Sequence, residues 1–139
     1  MLNIIYRIAI ISAICFPRYL TAQELPRIAK PHVAHYSKAD YLADNQNWGR
    51  SVDKQGVIYA ANNAGLLRYD GQEWHLHRST KGMPMRSVTA TPDGRIYTGG
   101  KGEFGYWIDK GFGRLSYTSL TSLVPAEIAL KNDEIWRII

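Results

Sequence analysis

From residue 48 onward the chain alternates short apolar runs with turns of Gly, Asn and Asp. This pattern is typical of β-strands joined by tight connections. Because no amphipathic helix separates the runs, the sequence predicts an antiparallel all-β architecture. Eight strands are predicted, at residues 48–52, 57–61, 66–69, 74–77, 85–89, 95–98, 104–108 and 115–117.

The strand pattern repeats along the chain. Ser51-Val52 precedes a Gly-Val-Ile-Tyr stretch, and Ser87-Val88 precedes a Gly-Arg-Ile-Tyr stretch. The serines are 36 residues apart and the glycines 38, which predicts a turn that is two residues longer in the second copy. The repeat also predicts equivalent strand positions for Tyr59 and Tyr97. Four strands within a period of about 40 residues are typical of a β-propeller blade.

We therefore expect a partial β-propeller over residues 48–139, with four antiparallel strands in each blade. The first blade is expected at about 48–84 and the second at about 85–125. A third is expected to start near residue 134, because residues 135–139 resemble the first strand. Propellers close with about 4 to 8 blades. The sequence thus predicts an N-terminal fragment that holds two blades and the start of a third.

Residues 1–22 have the parts of a secretory signal peptide in order: a positive charge, an apolar run and a short polar stretch. The apolar run at 8–16 is shorter than the roughly 20 residues that cross a bilayer as a helix. Cleavage is predicted after Ala22, which removes Cys15 and leaves the mature chain without thiol chemistry. Residues 23–47 are polar, contain prolines and show no period, so we expect an extended lead-in.

Composition and charge narrow the function classes. The 139 residues are 45% hydrophobic and 21% charged, as in ordinary globular proteins, and the nine Tyr and four Trp favour β structure. Without Arg7 and Arg18, which lie in the signal segment, 15 Lys and Arg face 12 Asp and Glu. These residues are scattered rather than grouped in a stripe, so we expect no contact with nucleic acid.

Two motifs suggest chemistry, and neither has the context that it needs. Residues 100–105 read G-x-G-x-x-G, but a strand follows in place of the helix that would hold a pyrophosphate. A glycine-rich strand connection is therefore expected. His32 with His35, and His75 with His77, have the spacing of paired metal ligands, but no cysteine or carboxylate completes a set. We expect surface histidines, no metal and no cofactor.

The resemblance to a known family rests on short pieces of both repeats. In the first they are Asn62-Asn63-Ala64-Gly65-Leu66-Leu67 and Asp70-Gly71 followed by Trp74, and in the second Glu103-Phe104-Gly105-Tyr106. With the lead-in from Pro31 to Trp48, these pieces resemble the opening of the two-component-regulator propeller sensors. The likeness extends from Pro31 to the end of the chain, and the lead-in is more similar to the branch with a helix-turn-helix output.

The resemblance implies a periplasmic propeller, a triple-tyrosine β-sandwich, one membrane helix and a cytoplasmic histidine kinase or helix-turn-helix domain. The expected function is ligand sensing for a membrane-bound bacterial transcriptional regulator or hybrid two-component sensor, in signal transduction rather than catalysis. The family implies a small ligand, with carbohydrate as one class, and a homodimer of the full-length protein. The alternatives are a secreted propeller enzyme acting on polysaccharide, for which no catalytic residues are found, and a purely structural interaction propeller.

Four turn residues are the candidate ligand contacts, since loops carry the binding residues of rigid scaffolds. They are Asn62, Asn63, Lys101 and Glu103, which we expect at one end of the blades. For the two asparagines, turn formation is the alternative role, because Asn tolerates left-handed backbone.

Overall fold

The computed structural model describes residues 31–79, 81–128, 130 and 132–139. The predicted signal peptide at 1–22 lies outside the described residues, as does the lead-in before Pro31, so cleavage after Ala22 stays a prediction. The chain divides into a unit that ends at Val33 and a second unit from Ala34 to Ile139. Of the first unit, residues 31–33 are described, and they are exposed and without regular structure.

The eight strands form two four-stranded antiparallel sheets, each a simple up-and-down meander. Sheet one contains, in order, β1 (Asn47–Val52), β2 (Ile58–Asn62), β3 (Gly65–Tyr69) and β4 (Trp74–His77). Sheet two contains β5 (Met85–Ala90), β6 (Ile96–Gly100), β7 (Glu103–Asp109) and β8 (Leu115–Ser119), followed by 3-10 turns at Thr121–Leu123 and Ala126–Ile128. The predicted all-β class and all eight strands are confirmed, with bounds that move by at most two residues.

Asp and Gly residues explain why the strands turn where they do. In the β1–β2 turn, the Asp53 carboxylate accepts backbone hydrogen bonds from Gln55 and Val57, both at 2.9 Å. Gly56 follows with φ +83°, a conformation that costs glycine little. The Asp70 carboxylate accepts the N–H groups of two residues of the β3–β4 turn at 3.0 Å. These local bonds stabilise the hairpins independently of the core.

The register confirms the internal repeat and corrects its alignment. Tyr59 pairs with Ser51 and Arg68, and Tyr97 pairs with Thr89 and Tyr106, so the two tyrosines are equivalent as predicted. Ser51 therefore corresponds to Thr89, and the alignment of Ser51 with Ser87 is wrong. The predicted longer turn is absent, because both turns close with the same backbone bonds, Asp53 with Val57 and Thr91 with Arg95.

The main core lies between the two sheets. Residues of β2 and β3 point from sheet one towards β5, β6 and β7 of sheet two, and Tyr59 and Ala61 of β2 do so with the two-residue period of a strand. The buried side chains are Tyr59, Ala61, Leu66, Met85, Val88, Ile96 and Trp107. The first strands of the two sheets approach each other closely, and Ala90 N–H donates to the Ser51 hydroxyl at 2.9 Å.

The lead-in is not fully extended, contrary to expectation. Lys38–Tyr41 forms one helical turn, α1, because Ser37 and Asp40 make a capping box. Ser37 N–H and its hydroxyl donate to the Asp40 carboxylate at 2.6 and 2.8 Å, and these bonds hold the pKa of Asp40 below its usual value. A single turn is too short to show a helical period in the sequence. It places Tyr41 against Ala60 and Leu67 on the outer face of sheet one.

Residues 134–139 form no strand, so the start of a third blade near residue 134 stays a prediction. Gly102 N–H donates to Asp133 C=O at 2.7 Å, Ile135 N–H donates to Gly100 C=O at 3.1 Å, and a single β-bridge joins Lys101 to Glu134. The segment that follows lies along β5, where the Thr89 hydroxyl donates to Ile138 C=O at 2.8 Å. Within the described ranges, no helix has the length and apolar character needed to cross a bilayer.

Candidate functional site

The four predicted ligand residues lie at one end of the two sheets, as expected for meanders whose alternate turns share an end. Asn62 is the last residue of β2, and Asn63 follows it in the β2–β3 turn. Lys101 lies in the β6–β7 turn, and Glu103 is the first residue of β7. The same end contains residues 78–79 and 81–84, which lie between β4 and β5. The ligand role of these residues stays a prediction, but their surroundings differ sharply.

Asn62 is completely buried, and both atoms of its amide group have partners. Its Oδ1 accepts the N–H groups of Asp44 and Ala64 at 3.1 and 2.8 Å. Its Nδ2 donates to Asp44 C=O at 2.7 Å and to Asn47 Oδ1 at 2.8 Å. The side chain thus joins the β2–β3 turn to the residues that precede β1, which favours the turn-forming role over direct ligand contact.

We predict that Asn62→Ala lowers the free energy of unfolding by about 2–3 kcal/mol, because it removes a fully buried side chain together with its four hydrogen bonds to Asp44, Asn47 and Ala64. Urea unfolding followed by circular dichroism measures this change. Asn45→Ala, which truncates an exposed asparagine that precedes β1, serves as the matched control, with an expected cost below about 1 kcal/mol. Equal losses in the two variants would contradict the structural role of Asn62.

Glu103 is also buried, with 1% of its surface exposed, and its carboxylate is held by three side chains. Lys81 forms an ion pair with Oε2, and the Tyr117 hydroxyl donates to Oε1 at 3.1 Å. Burial raises the pKa of Glu103, but hydrogen bonds from Lys81, Ser119 and Tyr117 outweigh it, so the pKa lies below its usual value. Burial and the nearby Glu103 charge raise the pKa of Tyr117 in turn.

An aromatic and cationic cluster occupies the same end, at the first strands. Arg86 lies between Trp48 and Trp136, with its guanidinium carbon 4.8 and 5.3 Å from the two ring centroids. The rings are 5.3 Å apart and meet edge to face. Trp48 is 43% exposed and Trp136 53%, so large aromatic surfaces face solvent around a cation. We call these three residues the Trp–Arg cluster.

Polar side chains orient the Trp–Arg cluster. Asn63 Oδ1 accepts from Trp48 Nε1 at 2.8 Å and from Arg86 Nη1 at 2.7 Å. Glu134 lies 3.4 Å from the Arg86 guanidinium on the other side. Of the four predicted residues, Asn63 therefore contacts this cluster directly. Lys101 is exposed, and its backbone forms a β-bridge with Glu134, which lies next to Arg86.

Sequence reasoning did not select the Trp–Arg cluster. Trp48 and Trp136 are part of the repeat, but a strand tryptophan is more often a core residue, and nothing in the pattern shows that these two are exposed. Arg86 follows a buried methionine at the start of β5, where the strand bulges between Met85 and Ser87. Bulges turn side chains away from the regular alternation, so the direction of Arg86 depends on the sheet geometry.

In the described residues, the glycine motif and the histidine pairs take positions in the strands and their connections. Gly100 to Gly105 span the β6–β7 hairpin, and no helix follows Gly105, as the sequence predicted. A Cβ on Gly105 would lie 2.2 Å from Thr118 O, which explains the glycine by close strand packing. Across the described ranges, no three His, Cys, Asp or Glu side chains come together as metal ligands. His75 and His77 share a face of β4, beside the Asp70 carboxylate.

Comparison with protein-family models, with curated proteins and with solved structures gave no match.

Proposed function

We propose that this chain forms the first two blades, and the beginning of a third, of an extracytoplasmic β-propeller that senses a small ligand. Two observations support the propeller assignment. Each sheet is a four-stranded meander, and the sheets stack through their first strands, as propeller blades do around a channel. Residues 135–138 then lie along β5 and accept hydrogen bonds from the Ser87 and Thr89 hydroxyls, as β5 lies along β1 and donates the Ala90 N–H to the Ser51 hydroxyl.

The proposed parent protein is a membrane-bound bacterial transcriptional regulator or hybrid two-component sensor, exported to the periplasm and acting as a homodimer. This part of the proposal rests on the resemblance of residues 31–139 to the two-component-regulator propeller sensors. In this view the fragment itself is not an enzyme, and ligand binding changes the association of subunits to control transcription.

The Trp–Arg cluster is the observation that best supports ligand binding. Exposed indole rings offer flat apolar surfaces, while Arg86, Asn63 and Glu134 place donors and acceptors at their edges. A ligand with one apolar face and many hydroxyl groups at its rim fits this combination, and a sugar ring is such a ligand. We therefore propose a carbohydrate site at this end of the blades.

We predict that neutral oligosaccharides bind saturably to the protein and quench tryptophan fluorescence, with no release of reducing ends. Trp48→Ala and Trp136→Ala should each weaken binding at least about tenfold, the equivalent of about 1.4 kcal/mol, because truncating an aromatic contact residue typically costs more than 1 kcal/mol. Phe112→Ala, which removes an exposed aromatic side chain at the opposite end, is the control and should bind normally.

Calorimetry on the full chain measures the dissociation constants, and circular dichroism checks that each variant is folded. Binding that survives the loss of both indoles would overturn the site. Cleavage of any oligosaccharide would instead support the alternative of a secreted propeller enzyme acting on polysaccharide.

A further inference from the structure

A cavity of about 530 Å³ lies at the opposite end from the Trp–Arg cluster. One wall comes from β3, β4 and their turn in sheet one, and the other from the β7–β8 turn and the start of β8 in sheet two. Its volume is within the range of about 300–1,000 Å³ that is usual for small-molecule sites. The side chains that matter to its chemistry are Arg68, His77, Phe112, Arg114 and Leu115.

On the sheet-one wall, Asp70 is already occupied within its own sheet. Its Oδ1 accepts two backbone N–H groups of the turn, and its Oδ2 accepts from Arg68 Nη1 at 3.2 Å. His75 Nε2 lies 3.5 Å from the same Oδ2. The backbone bonds, together with Arg68, hold the pKa of Asp70 at about 2, so the carboxylate stays ionised. Asp70 therefore neutralises the charge of Arg68 in this cavity.

The sheet-two wall adds a second guanidinium that no carboxylate neutralises. Arg114 is exposed, and over the ranges that the structure describes it forms no ion pair. The preceding Gly113 packs against Arg68, since a Cβ there would lie 3.0 Å from Arg68 Nη1. The hairpin thus brings Arg114 to the cavity that already contains Arg68. Two guanidinium groups that line the same recess repel each other, and an anion that lies between them relieves this repulsion.

The cavity also has an apolar side. Phe112 is fully exposed at the turn, with φ +56°, a left-handed backbone that bulky residues rarely adopt. Leu115 lies below it in the lining. His77 completes the lining from β4, and its Nε2 is buried without a hydrogen-bond partner in the described structure. Burial lowers the pKa of His77 below its usual value, and repulsion by Arg68 adds to this effect.

From these surroundings we infer a second binding site, for a small organic acid. Its carboxylate lies between Arg68 and Arg114, where a guanidinium can form paired hydrogen bonds with a carboxylate. Its ring or aliphatic body lies against Phe112 and Leu115. The inference does not depend on the carbohydrate site, because the two sites share no residue and lie at opposite ends of the sheets.

Calorimetric titration of the full chain with benzoate, benzamide and acetate tests this site. Benzoate should bind saturably with one site per chain. Benzamide, which has the same shape without the charge, should bind at least about tenfold more weakly, as should acetate, which lacks the body. A tenfold change corresponds to about 1.4 kcal/mol.

Arg114→Gln should weaken benzoate binding at least about tenfold, and Phe112→Ala should weaken benzoate but not acetate. Arg95→Gln is the matched control, since Arg95 follows the β5–β6 turn as Arg114 follows the β7–β8 turn and lies outside the cavity. Equal binding of benzoate and benzamide, or unchanged affinity in Arg114→Gln, would refute the carboxylate assignment. Equal binding of acetate and benzoate would refute the contact with Phe112 and Leu115.

Discussion

Replacing Trp107 by Ala is expected to lower the free energy of unfolding by about 3–5 kcal/mol, as Phe or Trp truncation does in other protein cores. Trp107 is 2% exposed and is the largest fully buried side chain among the described residues. It packs 4.8 Å from the Tyr117 ring, and its Nε1 donates to the Thr98 hydroxyl at 2.9 Å. Truncation removes apolar contacts from the interface between the sheets and leaves Thr98 with an unpaired buried oxygen.

Urea unfolding followed by far-ultraviolet circular dichroism measures this change without relying on the deleted fluorophore. Phe112→Ala is the matched control, because it removes an aromatic ring that is fully exposed, and its cost should be within about 0.5 kcal/mol. The loss of unfolding free energy in Trp107→Phe should lie between those of Trp107→Ala and Phe112→Ala, since phenylalanine keeps most of the packing but loses the hydrogen bond. A Trp107→Ala variant as stable as the control would show that the sheets do not pack through this residue.

Lys81→Met is expected to cost about 2 kcal/mol at pH 7, because it leaves the buried Glu103 carboxylate without its cation. Breaking a fully buried pair costs about 3–5 kcal/mol, and the effect here is smaller because Lys81 itself is 63% exposed. Lys110→Met, in the exposed β7–β8 turn, is the control and should be near neutral. Urea unfolding at several pH values measures both variants.

The pH dependence gives this prediction a second test. The pKa of Glu103 is lower in the folded protein than its ordinary value of 4.5, so the unfolded chain binds its proton first as the pH falls. The ionised carboxylate therefore stabilises the fold fully above pH 4.5, and this stabilisation is lost as the pH falls through the folded-state pKa. In Glu103→Gln, this part of the loss of unfolding free energy at low pH should be absent. An unchanged acid profile in Glu103→Gln would mean that another carboxylate is responsible.

Most of the fold follows from local signals in the sequence. Asp53 with Gly56, and Asp70 with Gly71, are turn signals whose side-chain and backbone bonds operate within a few residues. The alternation of apolar and polar positions between such turns predicts the strands, since side chains alternate across a strand. The Gly-Val-Ile-Tyr and Gly-Arg-Ile-Tyr stretches predicted the repeat, and the strand register confirms that Tyr59 and Tyr97 are equivalent.

What the sequence left open depends on contacts between distant residues. The alignment of Ser51 with Ser87 was wrong because it rested on residue type alone. Equivalent strand positions are those with equivalent pairing partners, and Ser51 and Ser87 have different ones. The helical turn at Lys38–Tyr41 is too short for a periodic signal and is stabilised by its capping box and by Tyr41 on sheet one. The four ligand candidates do lie at one end of the two sheets, but burial separates Asn62 and Glu103 from Asn63 and Lys101.

By itself the sequence determined the strands, the turns and the repeat, because hydrogen bonds in turns and the two-residue period of a strand act over short distances. Only the tertiary structure decided which aromatic and charged side chains remain exposed. Trp107 and Trp136 are both strand-type tryptophans in the sequence, yet one is buried between the sheets and the other faces solvent beside Arg86. The presence of Arg68 and Arg114 in one cavity likewise depends on how sheet two packs against sheet one, since the two residues are more than 40 positions apart in the chain.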